Sequence, residues 1–426
     1  MDQLNLNALD ATLKEDYLPS MRSTINMRRY CLEHFERDAG KTDASGRRAV
    51  FPVNIRGSQA IGSRMEHSAE YSSAPEYITL PQPQKQTYIE IRVPYTSHWG
   101  SIRVTHPALI AAARDVGAFV RALGGEMEGI ARDLKNDQNR MMFGFGNGVL
   151  GAANGAGAAT TALVMMPGHR IKAGMVIDMY TAYAAGTQKL NSIAVSSVSG
   201  NAVTLATAST WSTGNYAYRE DSRGYEMMGL MGIVDDASKT SGIGAFVTTL
   251  FNVSRSSYPE WNAIINEHPT NPGTARALDA DLLDTAILNL RSEREGNPDI
   301  MITSPTQWRK IGSELARDRR FAETQTLHGG YEAWDWSGIP CIWDPDCRVD
   351  WEGSNDMLYI LEMDTFTFLE LADWNWMDED GNVLSRVSGS ATAPGLAAFD
   401  GSMYKYNQLM CHDPGRNSVI RDLQTT

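Results

Sequence analysis

From Leu109 to Met141 apolar side chains keep one register. Leu109, Val116, Val120, Leu123, Met127, Ile130, Leu134 and Met141 follow spacings of 7, 4, 3, 4, 3, 4 and 7. Those spacings put all eight on one stripe of an α-helix. Thr105 suits an N-cap, and Pro107 is tolerated in a first turn. Arg114, Asp115, Arg121, Glu128, Arg132, Asp133 and Lys135 fall off the stripe, and the glycine-rich run from Gly144 ends it. The spacing predicts a helix over 105–142, roughly 50–55 Å long at about 1.5 Å per residue. Gly124 and Gly125 are its expected point of bending. The repeat is confined to one helix, which argues against a coiled-coil dimer.

Upstream, residues 1–48 are polar and mixed in charge. Leu6, Leu9, Leu13 and Leu18 suggest one short helix, and Met27 to Phe35 a second. Gly40 to Arg48 has the composition of a linker. Phe51, Val53 and Ile55 alternate with polar or turn residues, as do Ile89, Ile91 and Val93, so both segments are expected strands. About 30 Ser-, Gly-, Pro- and Gln-rich residues separate them, too long a connection for the inside of a compact domain. A projecting two-stranded loop is the expectation. A lone ribbon cannot bury both faces, so it is expected to pack on a neighbouring subunit.

Downstream, residues 150–162 (LGAANGAGAATTA) are expected to be a flexible linker. A β-rich block follows over about 163–220, with a strand from Met175 and a hairpin turning at Ser199-Gly200-Asn201. It is expected to be a small inserted β-barrel. From Tyr225 the pattern is mixed. Leu282, Leu283, Ala286, Ile287 and Leu290 share a helix face, and Pro298-Asp-Ile-Met-Ile-Thr-Ser-Pro is expected to be a short buried strand leading into a helix around Trp308. Further strands are expected at 339–343, 357–361, 366–371 and 418–423, and a hairpin turn at Asp380-Gly381. Helices and strands do not alternate strictly, so the expected class is α+β.

The chain has 426 residues and a formal net charge of −13. That charge disfavours general binding to nucleic-acid phosphate, though an acidic lining would keep a shell from sticking to packaged DNA. Four cysteines (Cys31, Cys341, Cys347 and Cys411) are too sparse and too widely spaced for a disulfide framework or zinc site. Met1 to Leu18 lacks the basic end and apolar run of a signal peptide, and no apolar stretch reaches about 18 residues.

An arm, a long two-stranded loop, a long helix and a mixed α+β region, in that order, resemble the major capsid proteins of tailed bacteriophages, the Hong Kong 97 type of fold. Local phrases agree: Gly229-Leu-Met-Gly-Ile-Val, Ser254-Arg-Ser-Ser-Tyr-Pro-Glu-Trp, Pro298-Asp-Ile-Met-Ile-Thr-Ser-Pro-Thr-Gln-Trp and Gly338-Ile-Pro-Cys-Ile-Trp-Asp. The resemblance runs from about residue 25 to the end. It implies an N-terminal arm (1–48), an extended loop lying over the adjacent subunit (49–100) and a peripheral domain with a spine helix (101–150). It also implies an axial domain (223–364) and return strands with a final axial strand (365–426). Residues 151–222, the inserted β-domain, depart from the minimal pattern.

The resemblance further implies self-assembly into pentamers and hexamers of an icosahedral head, formed in the bacterial host cytoplasm and enclosing double-stranded DNA without sequence-specific binding. Scaffolding, portal and decoration proteins are the other implied partners. The absence of a long N-terminal scaffolding-type region implies a separate scaffolding protein or a chain in its mature form. No cofactor, metal or membrane is implied. Some members join subunits by a Lys–Asn bond. Lys85 is the lysine in the loop, and the expectation for it is a solvated side chain. Arg56, Arg64, Glu66, Glu70, Glu90 and Arg92 in the same loop are candidates for cross-subunit ion pairs that set register.

No enzyme constellation competes. Gly146-Asn-Gly148-Val-Leu-Gly151 matches a dinucleotide fingerprint but follows a helix, where that motif follows a strand. The eight histidines include no H-E-x-x-H, and Asp378, Asp380 and Asn382 lack the remainder of a calcium loop. Trp334, Trp336, Trp343, Trp351, Trp374 and Trp376 sit among acidic residues, which favours core or interface packing over base stacking. The rival readings are an encapsulin-like cellular compartment, a tail or baseplate protein, and an unrelated α+β enzyme.

Overall fold

The computed structural model describes residues 30–38, 40–43, 46–61, 81–107, 116–182, 186–236, 247–271, 273–318, 324–327, 331–347, 355–378, 385–386 and 397–425. Helix α1 (Tyr30–Asp38) leads to β1 (Gly40–Asp43) and a ribbon of β2 (Arg48–Arg56) and β3 (Thr87–Pro94). Strand β4 (Thr96–Thr105) and helix α2 (Val116–Met142) follow. Next come β5 (Val149–Ala152), β6 (Gly157–Val164), β7 (Val176–Tyr180), β8 (Gln188–Ser199), β9 (Ala202–Trp211) and β10 (Tyr216–Arg219). The short helix α3 (Leu230–Ile233), β11 (Thr249–Leu250), β12 (Val253–Ser254) and β13 (Ile264–Asn266) lead to helix α4 (Ala280–Arg294). Strand β14 (Ile300–Thr303), helix α5 (Pro305–Asp318), β15 (Thr324–Leu327), β16 (Tyr331–Trp336) and β17 (Ile339–Trp343) come next. The chain ends through β18 (Asn355–Leu361), β19 (Phe366–Trp376), β20 (Ser385–Arg386), β21 (Ala398–Cys411) and β22 (Ser418–Gln424). The class is α+β, rich in strands.

Three larger sheets organise these elements. One runs β1-β19-β21-β20, with β4 also paired to β21. Helix α2 crosses its inner face at Gly100: a Cβ there would lie 2.7 Å from Leu134 Cδ1 and 3.0 Å from Ile130 Cγ1. The second runs β13-β22-β18-β14-β17-β16-β15 and is flanked by α4 and α5. Its central strands are buried throughout, which is why their middles, Ile300–Ile302 and Met357–Leu361, read as apolar runs. Helix α4 starts at the Asp279 cap, whose side chain accepts from the Leu282 amide at 2.8 Å, and buries Leu283, Ala286, Ile287 and Leu290.

The third sheet runs β5-β10-β7-β8-β9-β6. Its two edges meet: Ala153 bridges Met165, the Asn154 amide donates to the Val164 carbonyl, and the Met166 amide donates to the Ala152 carbonyl, both at 2.8 Å. Leu150, Leu163, Met165, Ile177, Val203 and Trp211 fill the interior. Gly157 sits against the Trp211 ring, where a Cβ would lie 2.3 Å from Cζ2. The entering strand β5 pairs with the leaving strand β10 through Ala152–Tyr216 and Gly151–Ala217.

Between these sheets lies a buried ionic knot. Arg421 of β22 pairs with Asp235 at 2.9 Å, just after α3. Arg255 donates to the carbonyls of Gly232 (2.8 Å), Ile233 (3.0 Å) and Asp235. Asp235 Oδ2 accepts from the Val247 amide at 3.1 Å. All three charged side chains are buried, and burial pulls the Arg255 guanidinium down to about 10.

The structure corrects several expectations. Residues 96–105 form a strand that the sequence pattern did not announce, and His106 and Pro107 turn helical directly after it, so the helix start expected at Thr105 and Pro107 stands at the strand's end. Ile102 and Val104 alternate with exposed Arg103 and Thr105 along it. Leu109, Val116, Val120 and Leu123 have side chains outside the described residues. The small residues of 150–162 form β5 and β6 in place of a linker, because Leu150 and Ala153 enter the third sheet's interior and Gly157 admits Trp211. Strands β19 and β20 do not pair with each other across the expected Asp380-Gly381 turn; both pair with β21. Residues 379–384, the segment from Leu6 to Leu18 and Trp351 lie outside the described residues.

Two predictions follow from the packing of β4. Gly100→Val drives a side chain into Leu134 and Ile130, and we expect a loss of about 1–3 kcal/mol in urea unfolding. His98, on the buried face of the same strand, lies 2.8 Å (Nε2) from Asn407 Oδ1. Burial lowers its pKa, and Lys405 and Arg140 act in the same sense, against the Asn407 bond and Asp137. With its folded value below the ordinary one near 6.5, the unfolded chain binds the proton first as pH falls. Its contribution to stability is therefore full above about 6.5 and is lost on acidification below it. Urea midpoints at pH 7.5 and 5.5 should differ less in His98→Gln than in the parent chain.

Candidate assembly surface

The β2–β3 ribbon has two unlike faces because its side chains alternate. Ala49, Phe51, Val53, Ile55, Ile89, Ile91 and Val93 face inward on the molecule's largest apolar cluster. The Arg92 amide also donates to the Phe251 carbonyl at 3.1 Å. The inner face is thus covered by the chain itself, which corrects the expectation that the ribbon needs a neighbour for it. The outer face is uncovered: Val50 is 49% and Tyr88 65% exposed.

Of the residues singled out in the loop, the structure pairs three within one chain. Arg56 makes a two-pronged contact with Glu260, at 2.5 and 3.1 Å. Arg92 pairs with Glu90 at 2.8 Å on the outer face, and its guanidinium holds the Glu90 carboxyl below the usual range. Lys85 is exposed. Arg64, Glu66 and Glu70 lie outside the described residues. The ribbon is pinned by Ser58, whose hydroxyl donates to the Gln84 carbonyl at 3.1 Å.

A groove of about 1070 Å³ opens beside the ribbon's base, between β4, the end of α2 and the segment after β10. Leu134, Met141, Phe145 and Met228 line its apolar part. Below it, Arg140 is buried between Asp137 (2.9 Å) and Glu226 (2.5 Å), and Arg219 also reaches Asp137 at 2.9 Å. Both carboxylates are thereby neutralised internally. The Tyr95 hydroxyl is enclosed in the groove wall and makes no hydrogen bond among the described residues. Trp99 (51% exposed) and Tyr225 (75% exposed) stand at the groove with Arg47 and Arg48. Trp99 packs on Tyr404 and Tyr406, ring centroids 5.7 and 5.9 Å away.

Sequence reasoning missed this groove. Its signal was the Arg47-Arg48 doublet beside a strand bearing Trp99, but the groove forms from segments more than 100 residues apart. It also missed Lys405, which is buried with Nζ 3.0 Å from Glu370 and 3.3 Å from Asp373, near the Trp374 and Phe368 rings. Of the tryptophans, Trp336 is buried and donates to Asp284 at 2.9 Å, and Trp334 packs on Trp308 at 5.3 Å. Trp343 is exposed.

Among the described residues no three His, Cys, Asp or Glu side chains are grouped to hold a metal. No described helix is long and apolar enough to cross a membrane. The four cysteines are buried, and burial pushes the Cys411 thiol up to about 12 and Cys341 higher still. Buried neutral thiols of this kind are poor nucleophiles.

No protein-family model matches the sequence, and no curated protein does. Solved structures do. A chain of the cyanophage A-1(L) capsid asymmetric unit aligns over 99% of both chains with a TM-score of 0.59 at 13% identity. A chain of the capsid of a native GTA particle aligns over 98% of this chain and 100% of its own, with a TM-score of 0.49 at 10% identity. A chain of the holo-SrpI encapsulin complex from Synechococcus elongatus PCC 7942 aligns over 100% and 98%, with a TM-score of 0.47 at 12% identity. From end to end, then, this chain has the fold of the cyanophage A-1(L) capsid chain.

Proposed function

We propose that this protein is a shell-forming major capsid subunit of a tailed bacteriophage, a structural protein of the virion with no catalytic role. The observation that carries the reading is the end-to-end fold match to a chain from a cyanophage capsid. The uncovered outer face of the ribbon and the exposed Trp99 and Tyr225 support it, since exposed apolar and aromatic groups mark surfaces that associate.

In this reading the parts take names. Residues 1–48 are the arm and 49–100 the extended loop. Helix α2 is the spine, and with β4, β19 and β21 it makes the peripheral domain of 101–150 and much of 365–410. The seven-stranded sheet with α4 and α5 is the axial domain of 223–364, completed by the C-terminal strand. Residues 151–222 are an inserted β-domain, and the meeting of its sheet edges favours a small closed barrel. Subunits related by rotation would join through unlike surfaces and close into pentamers and hexamers. Arg64, Glu66, Glu70, Glu90 and Arg92 are the loop charges proposed to meet a neighbour; Arg56 is engaged with its own chain's Glu260. Scaffolding, portal and decoration proteins are the proposed further partners, with packaged DNA held inside by confinement.

Negative-stain microscopy of the expressed protein tests the reading. We expect capsomers or closed icosahedral shells; a uniform monomer at high concentration would count against it. Assembled particles on a denaturing gel should give a single monomer band, because Lys85 is exposed and is expected to remain an ordinary solvated lysine. A ladder of oligomers that disappears in Lys85→Arg would instead assign it a cross-link.

A further inference from the structure

Strand β19 is irregular where it passes Lys405. Ala372 pairs with Tyr406 and Asn375 with Tyr404, so Asp373 and Trp374 together stand opposite the single residue Lys405. Two residues against one is the count of a β-bulge, which re-aims a side chain out of the strand's alternation. Here it brings Asp373 and Trp374 to the same amine. Lys405 Nζ lies 3.3 Å from Asp373 Oδ1, 3.0 Å from Glu370 Oε1 and 5.5 Å from the Trp374 ring centroid. The Phe368 ring centroid is 5.8 Å away. The lysine side chain is 1% exposed, whereas that of Asp373 opens to solvent at 69%.

The groups that would join this amine to the carboxyl are in place. Glu370 touches Nζ and is also hydrogen-bonded to the Asp373 carboxyl, so it can take a proton from one and pass it to the other. The Trp374 amide donates to Asp373 Oδ1 at 2.7 Å, the oxygen on which negative charge gathers in a tetrahedral adduct. The Trp374 and Phe368 rings cover the amine and keep water off it.

We propose that Lys405 and Asp373 condense within one chain to an amide that fastens β19 to β21. Glu370 takes a proton from the lysine ammonium, and the freed lone pair attacks Asp373 Cγ while Oδ1 is held by the Trp374 amide. The nitrogen gives up two of its three protons, Glu370 relays both to the other carboxyl oxygen, and that oxygen leaves as water. One C–N bond forms and one C–O bond breaks. Glu370 ends as it began, and no oxidant or co-reactant is consumed. The open side of Asp373 is the water's exit. The step occurs once per chain without turnover and needs no contact between subunits.

Intact-mass spectrometry of the full chain tests the bond. The parent should weigh one water less than its sequence, and fragment spectra should show Lys405 joined to Asp373. Asp373→Ala and Lys405→Met should return the full mass. Glu370→Gln, which keeps the shape and removes the base, should lower the joined fraction about tenfold or more. A parent of full mass overturns the proposal. So does a lost water that maps to any other place, Glu370 included, or a joined fraction that Glu370→Gln leaves unchanged. The parent measurement needs no variant, so it decides the matter even where Lys405→Met does not fold. None of these outcomes bears on the shell reading, which particles in the microscope test.

Discussion

The knot of Asp235, Arg255 and Arg421 is the constraint on which the rest of the fold depends. It ties the last strand of the seven-stranded sheet to the α3 segment, and α3 in turn abuts the end of α2, where a Cβ at Gly229 would lie 2.3 Å from the Met141 carbonyl oxygen. A buried ion pair adds little net stability against a well-packed apolar alternative, yet removing one partner costs about 3–5 kcal/mol. Such a contact acts as a locator. It tolerates one relative placement of helix and sheet, and that placement sets where the groove opens and how the ribbon rests on Phe251.

That rigidity suits the shell role proposed for the chain, in which its work would be contact. The acids under the groove are cancelled by Arg140 and Arg219, so they fix the floor without adding to the surface charge. The ribbon's inner side chains are committed to the chain's own core, which leaves a stiff strip with a free outer face. Binding through surfaces already held in shape avoids much of the ordering cost of association.

Where local periodicity decides structure, the sequence was readable. The α4 face, the buried β14 run, the hairpin at Gly200 and the closing strand β22 follow from spacing and turn chemistry, and the order of parts pointed to the fold. The failures have physical causes. Strand β4 was not read at all, because its strand character depends on pairing with β21 some 300 residues later. Strands β5 and β6 looked like a linker because small residues are chosen there to admit Trp211 and His169, a reason visible only from the other side of the sheet. Arg56 and Arg92 were legible as charged and exposed, but whether their partners lie in the same chain is a tertiary fact.

The six-stranded sheet enters and leaves through neighbouring strands, β5 beside β10, so its two connections to the body sit about 5 Å apart across a ladder. A module attached in this way can be lengthened, exchanged or decorated without moving the frame that holds it. Its β8–β9 hairpin turns at Gly200, where φ is +57° and a Cβ would meet nothing within 4 Å. Foreign peptides spliced at that tip would be carried once per subunit on a scaffold that does not need to know what it bears.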